Sequence, residues 1–429
     1  MDRIEFNKAK RFKGEFSPTP DKSISHRAVI FSSLSHGTSV IKNFLRAEDP
    51  LSTIKAFRAL GVEIDESGEE VIIRGKGIHG LKEPNDVIDC GNSGTTIRML
   101  SGVLAGNPFF SVLSGDQSLR SRPMGRVITP LSRMGAEIFG RADNKYPPLA
   151  IKGKPLQAMH YVLPVASAQV KSAIILAGLY TDGVTEITEP AQSRDHTERM
   201  LPSFGAEIRT NGLHITIKGG AEMQGREICV PGDFSSAAFF IVGALLIRDS
   251  DVTIKGVGIN PTRTGLLNAL KAMGADIEVH NTREVSGEPV ADIHCSGGGE
   301  LKAVTLTKKD IPSLIDEFPI LCVAATQANG ITSIRGAEEL RVKESDRIKS
   351  MVTELRKMGA EIEEFEDGLS IRGKIGLTGG NIESYGDHRI AMAMAIAGLI
   401  AEGTTVIQGI SSVNISFPGF FDIVRRLTA

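Results

Sequence analysis

A short pattern recurs five times along this chain: Leu60-Gly61-Val62-Glu63-Ile64, Met134-Gly135-Ala136-Glu137-Ile138, Phe204-Gly205-Ala206-Glu207-Ile208, Met273-Gly274-Ala275-Asp276-Ile277 and Met358-Gly359-Ala360-Glu361-Ile362. The glycines lie 74, 70, 69 and 85 residues apart, so internal repetition constrains the fold before any single residue does. A turn followed by a β-rich run precedes each copy. It is clear at His36–Ile41, Asp182–Ile187, Asn329–Ile334 and Glu402–Ile407, and weaker at Asn107–Val112 and Asp249–Ile254, which makes six copies. Each reads as an apolar helix, a short strand, and an amphipathic helix that ends at the glycine, where a left-handed residue closes helices. The strand after the glycine turns back into a partner that ends in Ile-x-Gly, as at Ile73-Arg74-Gly75 and Ile371-Arg372-Gly373. Such a unit, helix-strand-helix-hairpin, is about 70 residues long, beyond the usual range of solenoid repeats.

The sixth copy has its apolar helix near His388–Ala401, its strand near Thr404–Gln408 and its second helix near Phe420–Leu427, and then the chain stops with no hairpin. The N-terminal stretch alternates like strands at Ile4–Phe6 and Phe12–Phe16 and is expected to supply that hairpin. The expectation is therefore an α/β chain of two lobes with three repeats each. Residues 20–230 make one lobe; residues 1–19 plus 231–429 make the other. Two crossings, near Pro18-Thr19-Pro20 and Pro231-Gly232, would serve as a hinge.

Charge nearly cancels, 49 Lys+Arg against 51 Asp+Glu, which argues against a nucleic-acid partner. Aromatic residues are 5% of the chain and tryptophan is absent, which argues against a stacking platform for bases or sugars. The longest apolar runs, Ile390–Ala401 and Ala237–Ile247, are too short to cross a bilayer and read as core helices. No apolar leader follows Met1, and Cys90, Cys229, Cys295 and Cys322 show neither paired spacing nor a zinc-ligand pattern. The expectation is a cytoplasmic protein with reduced thiols, no metal and no membrane partner. Two motif matches are chance. Gly75-Lys76-Gly77-Ile78-His79-Gly80 fits GxGxxG but leaves a hairpin strand instead of opening a helix, and Gly368–Lys374 fits GxxxxGK with Ile375 where Ser or Thr is required.

The helix starts carry the chemistry. First helices are expected to open at Asp21-Lys22-Ser23, Asn92-Ser93-Gly94, Ser167-Ala168-Gln169, Asp233-Phe234, Asp316-Glu317 and Asp387-His388-Arg389. Second helices are expected at Arg120-Ser121-Arg122-Pro123, Ser193-Arg194-Asp195-His196 and Lys343-Glu344-Ser345-Asp346-Arg347. Capping explains the Ser, Asn and Asp residues. It does not explain Lys22, Arg27, Arg98, Arg122, Arg194, Lys343, Arg347 and Arg389, since a cation in the first turn opposes the helix dipole at a cost of about 0.3–1 kcal/mol. Eight such cations in a near-neutral chain point to an anionic ligand bound at helix starts. The alternative is a set of separate surface ion pairs. Asp316, Glu317 and Glu344, set among these cations, are candidates for proton transfer.

These segments resemble those of the enolpyruvyl transferase family: Pro20-Asp21-Lys22-Ser23-Ile24-Ser25-His26-Arg27, Gly91–Arg98, Ser121-Arg122-Pro123-Met124, Arg341–Arg347 and Gly386–Met392, five segments in order over essentially the whole chain. The resemblance implies a two-lobed inside-out α/β barrel of six βαβαββ repeats, three per lobe. Within the family it is similar to the branch, class II-like, that moves the carboxyvinyl group of phosphoenolpyruvate to the 5-hydroxyl of shikimate 3-phosphate. By that resemblance Lys22, Ser23, Arg27, Ser167, Ala168, Gln169, Arg194, Asp316 and Lys343 hold shikimate 3-phosphate. Lys22, Asn92, Gly94, Arg122, Gln169, Lys343, Arg347, His388 and Arg389 hold phosphoenolpyruvate. Asp316 takes the hydroxyl proton, and Glu344 with Lys22 delivers one to the methylene carbon. No cofactor is implied, and a monomer is expected.

The sequence also departs from the family pattern. Pro20 stands where many members have glycine; Ala168 replaces a serine that in some members helps hold the phosphate; Met99 and Ile415 replace a proline and a lysine of some members. The sister branch that acts on UDP-N-acetylglucosamine typically has a reactive cysteine in a mobile loop. The Arg120–Pro123 region has none, and Lys22 precedes Ser23 instead of Asn. A non-catalytic phosphometabolite-binding protein would need the cations but not Asp316 or Glu344.

Overall fold

The computed structural model describes residues 2–429. The chain folds as two compact units. The first lobe is Pro20–Val230 with Val285–Glu288; the second is the stretch up to Thr19 with Pro231–Glu284 and Pro289–Ala429. Each has its own apolar core.

One wiring recurs. In the second repeat the edge strand Ile88–Asp89 runs parallel to Phe110–Ser114, which pairs antiparallel with Tyr146–Lys152, itself antiparallel to Glu137–Gly140. Helices Gly94–Ala105 and Gly125–Arg133 fill the two connections, so chain order is β-α-β-α-β-β. The third repeat (His160–Val162, Val184–Thr188, His214–Lys218, Ile208–Asn211) and the fifth (Thr305–Leu306, Ile331–Ile334, Gly368–Arg372, Glu361–Phe365) are built alike. In the first repeat the parallel edge beside His36–Lys42 comes from the end of the lobe, Glu227–Cys229.

The N-terminal stretch departs from the expected hairpin. Arg3–Phe6 pairs antiparallel with Thr405–Gln408 and completes a three-stranded sixth sheet. Arg11–Phe16 instead runs parallel to Asp249–Gly258 as the edge of the fourth sheet. The two strands are not paired to each other, because the fourth repeat needs its own parallel edge and Phe12 and Phe16 supply its apolar face. Phe12 is fully buried, and the Phe16 and Phe240 rings lie 4.6 Å apart.

The recurring glycine closes a helix in all five copies. Gly61, Gly135, Gly205, Gly274 and Gly359 have φ between 84° and 106°. The following amide bonds back over a full turn: Val62 N to Phe57 O, Ala136 N to Leu131 O, Ala206 N to Leu201 O, Ala275 N to Leu270 O and Ala360 N to Leu355 O. That is the Schellman closure, with a small apolar residue covering an apolar one.

The first helix of each repeat is the central one. Phe234–Leu246 is buried on every side except at Leu246, and His388–Ile400 on every side except at Ile400, as expected of helices packed among helices. Small residues let them approach. A Cβ on Gly102 would lie 2.2 Å from the Ala173 carbonyl, so the Gly94–Ala105 and Ala168–Gly178 helices meet backbone to backbone. Packing at that distance brings their N-terminal side chains into hydrogen-bonding range.

Candidate active site

In the first lobe Asp21 caps the Lys22–Ser33 helix by accepting from Ile24 N at 2.8 Å. Lys22 Nζ donates to Asp49 Oδ2 at 3.0 Å, and Asp49 sits in the first turn of the Glu48–Ala59 helix. Ser93 caps the next helix through Thr96 N, which makes Gly94 its first residue. A Cβ there would lie 2.6 Å from Arg98 Nη1 and 3.1 Å from Arg122 Nη1, so two guanidinium groups crowd one helix start. Arg122 donates to Asn92 Oδ1 at 2.6 Å, and Asn92 donates to Asp116 Oδ2 at 2.7 Å. Arg98 donates to Gln169 Oε1, and Gln169 Nε2 to Thr95 Oγ1, both at 2.8 Å. Asn92, Gly94, Arg98, Arg122 and Gln169 thus form one connected group. Ser167, Ala168 and Gln169, at the start of the third central helix, are half-buried.

Arg27 lies one turn further down, buried, with its hydrogen bonds running to neutral oxygens: Thr197 Oγ1 at 2.8 Å, Ser172 Oγ at 2.9 Å and the Ser23 carbonyl at 3.0 Å. Burial lowers its pKa to about 10, against the opposing charges of Glu198, Asp21 and Glu288; Arg194 adds to the lowering. A guanidinium buried among neutral oxygens, with a second cation near it, is suited to an anion.

In the second lobe Arg347 is the hub. Its Nε donates to Asp387 Oδ2 at 2.9 Å, its Nη1 to Asp316 Oδ1 at 3.1 Å and its Nη2 to Glu344 Oε2 at 2.6 Å. Burial alone would lower its pKa, but Asp387, Glu344 and Asp316 outweigh burial and raise it. Burial likewise pushes the Asp387 carboxyl up, and Arg347 reverses this, leaving it below its ordinary value. Arg389 holds Asp316 from the other side, through its carbonyl at 3.1 Å and Oδ2 at 3.4 Å. His388 is buried as the first residue of the helix that Asp387 caps through Arg389 N at 2.9 Å. Burial depresses the Lys343 pKa; Asp316 opposes this and Arg347 adds to it. Asp316, Lys343, Glu344, Arg347 and Arg389 therefore interact as one charged cluster.

Three cations lie outside the helices where the sequence reading put them. Arg122 has an extended backbone, φ −82° and ψ 136°, after the Leu119–Ser121 turn, because a residue before proline is excluded from the helical region. Its helix begins at Gly125, so Pro123 is not a first-turn proline. Arg194 precedes the His196–Met200 helix, and Asp195 turns its carboxylate to Arg199 at 2.9 Å instead of capping. Lys343 and Glu344 precede a helix that starts at Arg347, since Asp346 is the cap, accepting from Lys349 N at 3.0 Å. For these residues the helix-dipole argument does not hold; they approach the helix starts from the leading loops.

The sequence reading missed the acids that hold these side chains, Asp49 on Lys22, Asp116 on Asn92 and Asp387 on Arg347, and the buried ion pairs of Lys171 with Glu189 at 2.8 Å and Glu198 at 2.6 Å. Lys171 carried a signal, being a lone charge in the apolar run Ala168–Leu179. Among the described residues no cluster of His, Cys, Asp and Glu is arranged to hold a metal ion, and no helix is long and apolar enough to cross a membrane.

The profile of the family described as EPSP synthase (3-phosphoshikimate 1-carboxyvinyltransferase) matches residues 6–424. A protein of Thermodesulfovibrio yellowstonii named 3-phosphoshikimate 1-carboxyvinyltransferase is 57% identical over 429 residues, 100% of both chains. One of the same name from a Geobacter species is 53% identical over 99% of each. A solved EPSP synthase from Acinetobacter baumannii superposes with a TM-score of 0.89 at 47% identity, covering 100% of this chain and 98% of that one. The enolpyruvyl transferase NikO from Streptomyces tendae shares the fold, with a TM-score of 0.80 at 17% identity over 99% and 97% of the two chains. With a full-length profile match and relatives above half identity over their whole length, the chain belongs to the EPSP synthase family.

Proposed function

We propose that the chain catalyses the reaction for which its family is named, transfer of the carboxyvinyl group of phosphoenolpyruvate to the 5-hydroxyl of shikimate 3-phosphate with release of phosphate. The observation that carries this reading is the match to named relatives over the full length of both chains. The roles proposed for the residues are those that the family resemblance implies. Arg27 and Arg194, with Ser23, Ser167, Ala168 and Gln169, would take the phosphate and hydroxyls of shikimate 3-phosphate. Arg122, with the Asn92–Gly94 helix start, and Arg347, Arg389, Lys343 and His388 would take the phosphate and carboxylate of phosphoenolpyruvate. Lys22 would touch both substrates.

Asp316 is the proposed base. Its carboxylate shares Arg347 and Arg389 as donors; an anion bound to those guanidinium groups would compete for the same N–H bonds and leave the carboxylate open to the 5-hydroxyl proton. The 5-oxygen would bond to C2 of phosphoenolpyruvate as Glu344, with Lys22, protonates the methylene carbon; the resulting tetrahedral adduct would then lose phosphate from C2 and return one methyl proton to the group that delivered it, which restores the double bond. Such chemistry rests on placement and charge neutralisation.

The test is phosphate release from phosphoenolpyruvate by purified protein, with shikimate 3-phosphate or UDP-N-acetylglucosamine in separate tubes. Release with the first alone is expected. Release with the second alone would keep the fold and overturn the substrate. Silence in both tubes from folded protein that binds the two anions would favour a binding protein.

A further inference from the structure

Lys171 lies two residues beyond Gln169 on the Ala168–Gly178 helix, so it points away from the helix start that Gln169 helps to form. It is 1% exposed, in a helix otherwise lined by Val170, Ala173, Ile174 and Ile175. A buried ammonium persists only where its surroundings are built around it, and here two carboxylates are supplied by a single stretch of chain. Glu189 follows the Val184–Thr188 strand and accepts at 2.8 Å; Glu198 lies within the His196–Met200 helix and accepts at 2.6 Å. Glu189 also accepts from the Ser193 hydroxyl, and the Ser193 carbonyl lies 3.5 Å from the same ammonium. Arg194 therefore rides on a short arc whose two ends, Ser193 and Glu198, are tied to one buried cation.

The same helix holds Arg27. Ser172, next to Lys171, accepts from Arg27 Nη2 at 2.9 Å and bonds Thr197 at 2.7 Å; Thr197 accepts from Arg27 Nε. Lys171–Glu198 and Ser172–Thr197 are adjacent rungs between the same two helices. Together they tie the hydroxyls that hold Arg27 to the segment of chain that carries Arg194.

We infer that Lys171 is a positioning residue, which with Glu189, Ser193 and Glu198 fixes the Arg194 arc against the central helix and so sets the affinity for the phosphate of shikimate 3-phosphate. This rests on the proposed role of Arg194. Lys171 touches no substrate in this reading. Removing the Lys171 side chain would leave Glu189 and Glu198 buried without their shared partner.

The test compares steady-state constants of the full-length protein carrying Lys171→Met, Ser193→Ala or Arg194→Ala. Lys171→Met is expected to raise KM for shikimate 3-phosphate about tenfold or more, with KM for phosphoenolpyruvate within about twofold and kcat down less than about threefold. Ser193→Ala, which removes only the hydroxyl tether, serves if Lys171→Met fails to fold; it is expected to shift the same KM alone, by about threefold or more. If Arg194→Ala leaves KM for shikimate 3-phosphate unchanged, the site reading fails. If Arg194→Ala raises it while Ser193→Ala and any folded Lys171→Met leave it at the parental value, or move both KM values together, the positioning inference is overturned.

Discussion

At the scale of single residues the molecule is governed by where buried charge finds its partner. Asp316 is the sharpest case, a carboxylate held between two guanidinium groups. Asp316→Asn keeps the shape and part of the hydrogen bonding but cannot take a proton. It is expected to lower kcat by about 10²–10⁴-fold with both KM values changed only a few-fold, read from phosphate release. Unchanged turnover would remove Asp316 as the base. His26 is a case of the opposite kind. Its Nδ1 bonds Thr53 Oγ1 at 2.6 Å, and a hydroxyl chain runs on through Thr96 to Ser93, the cap beside Gly94. Burial, then Lys22 and Arg27, holds its pKa well below 6.5. The unfolded chain therefore takes up a proton below about pH 6.5 that the folded one refuses, so this histidine makes stability fall as pH drops, by up to about 1.4 kcal/mol per pH unit. Urea midpoints of His26→Asn against the parent should show a shallower loss between pH 6.5 and 5. Parallel curves would mean that His26 titrates alike in both states.

At the scale of elements the repeated glycine was legible in the sequence because its physics is local. A left-handed residue, an amide bonding back to the preceding turn and an apolar cover are all encoded within a few residues of the helix end. Gly359 has φ 90°, and a Cβ there would meet nothing closer than Thr378 Oγ1 at 3.9 Å. Gly359→Ala should thus pay only backbone strain, lowering stability by about 1–2 kcal/mol, which a urea titration resolves; a neutral result would remove strain as the reason for glycine. The six-fold pattern and the central helices could be read in the same way, from residues close in sequence. What escaped depended on distance along the chain. The Arg3–Phe6 and Arg11–Phe16 strands both read correctly as strands, yet nothing local shows that one belongs to residues 405–408 and the other to residues 249–254. Arg122 escaped for a local reason overlooked: Pro123 forbids it a helical backbone, whatever the cations around it favour. The acids that hold Lys22, Asn92 and Lys171 lie 27, 24 and 18 residues away on other elements, where periodicity says nothing.

At the scale of the whole molecule the two cores are separate sets of residues, and only the second draws on the N-terminal strands. Deleting residues 2–19 removes Phe12, worth about 3–5 kcal/mol by the usual cost of losing a core phenylalanine, and uncovers one edge each of two sheets. Hydrogen exchange is expected to show protection lost throughout the second lobe and retained in the first; loss in both would show that the first lobe does not stand on its own core. The same arrangement has a consequence for synthesis. Arg3–Phe6 is synthesised about 400 residues before the strand it pairs with, Thr405–Gln408, so at about 5–20 residues per second it waits roughly 20–80 s for its partner. During that interval it is a nascent strand with nothing to bond. Its outward positions carry Arg3 and Glu5, and those of the following strand Arg11, Lys13 and Glu15, alternating with the apolar residues that will be buried. Charges at every second position are what keep an unpaired strand from joining another like it, so the solvent face of this short segment guards the nascent chain before it ever serves the finished enzyme.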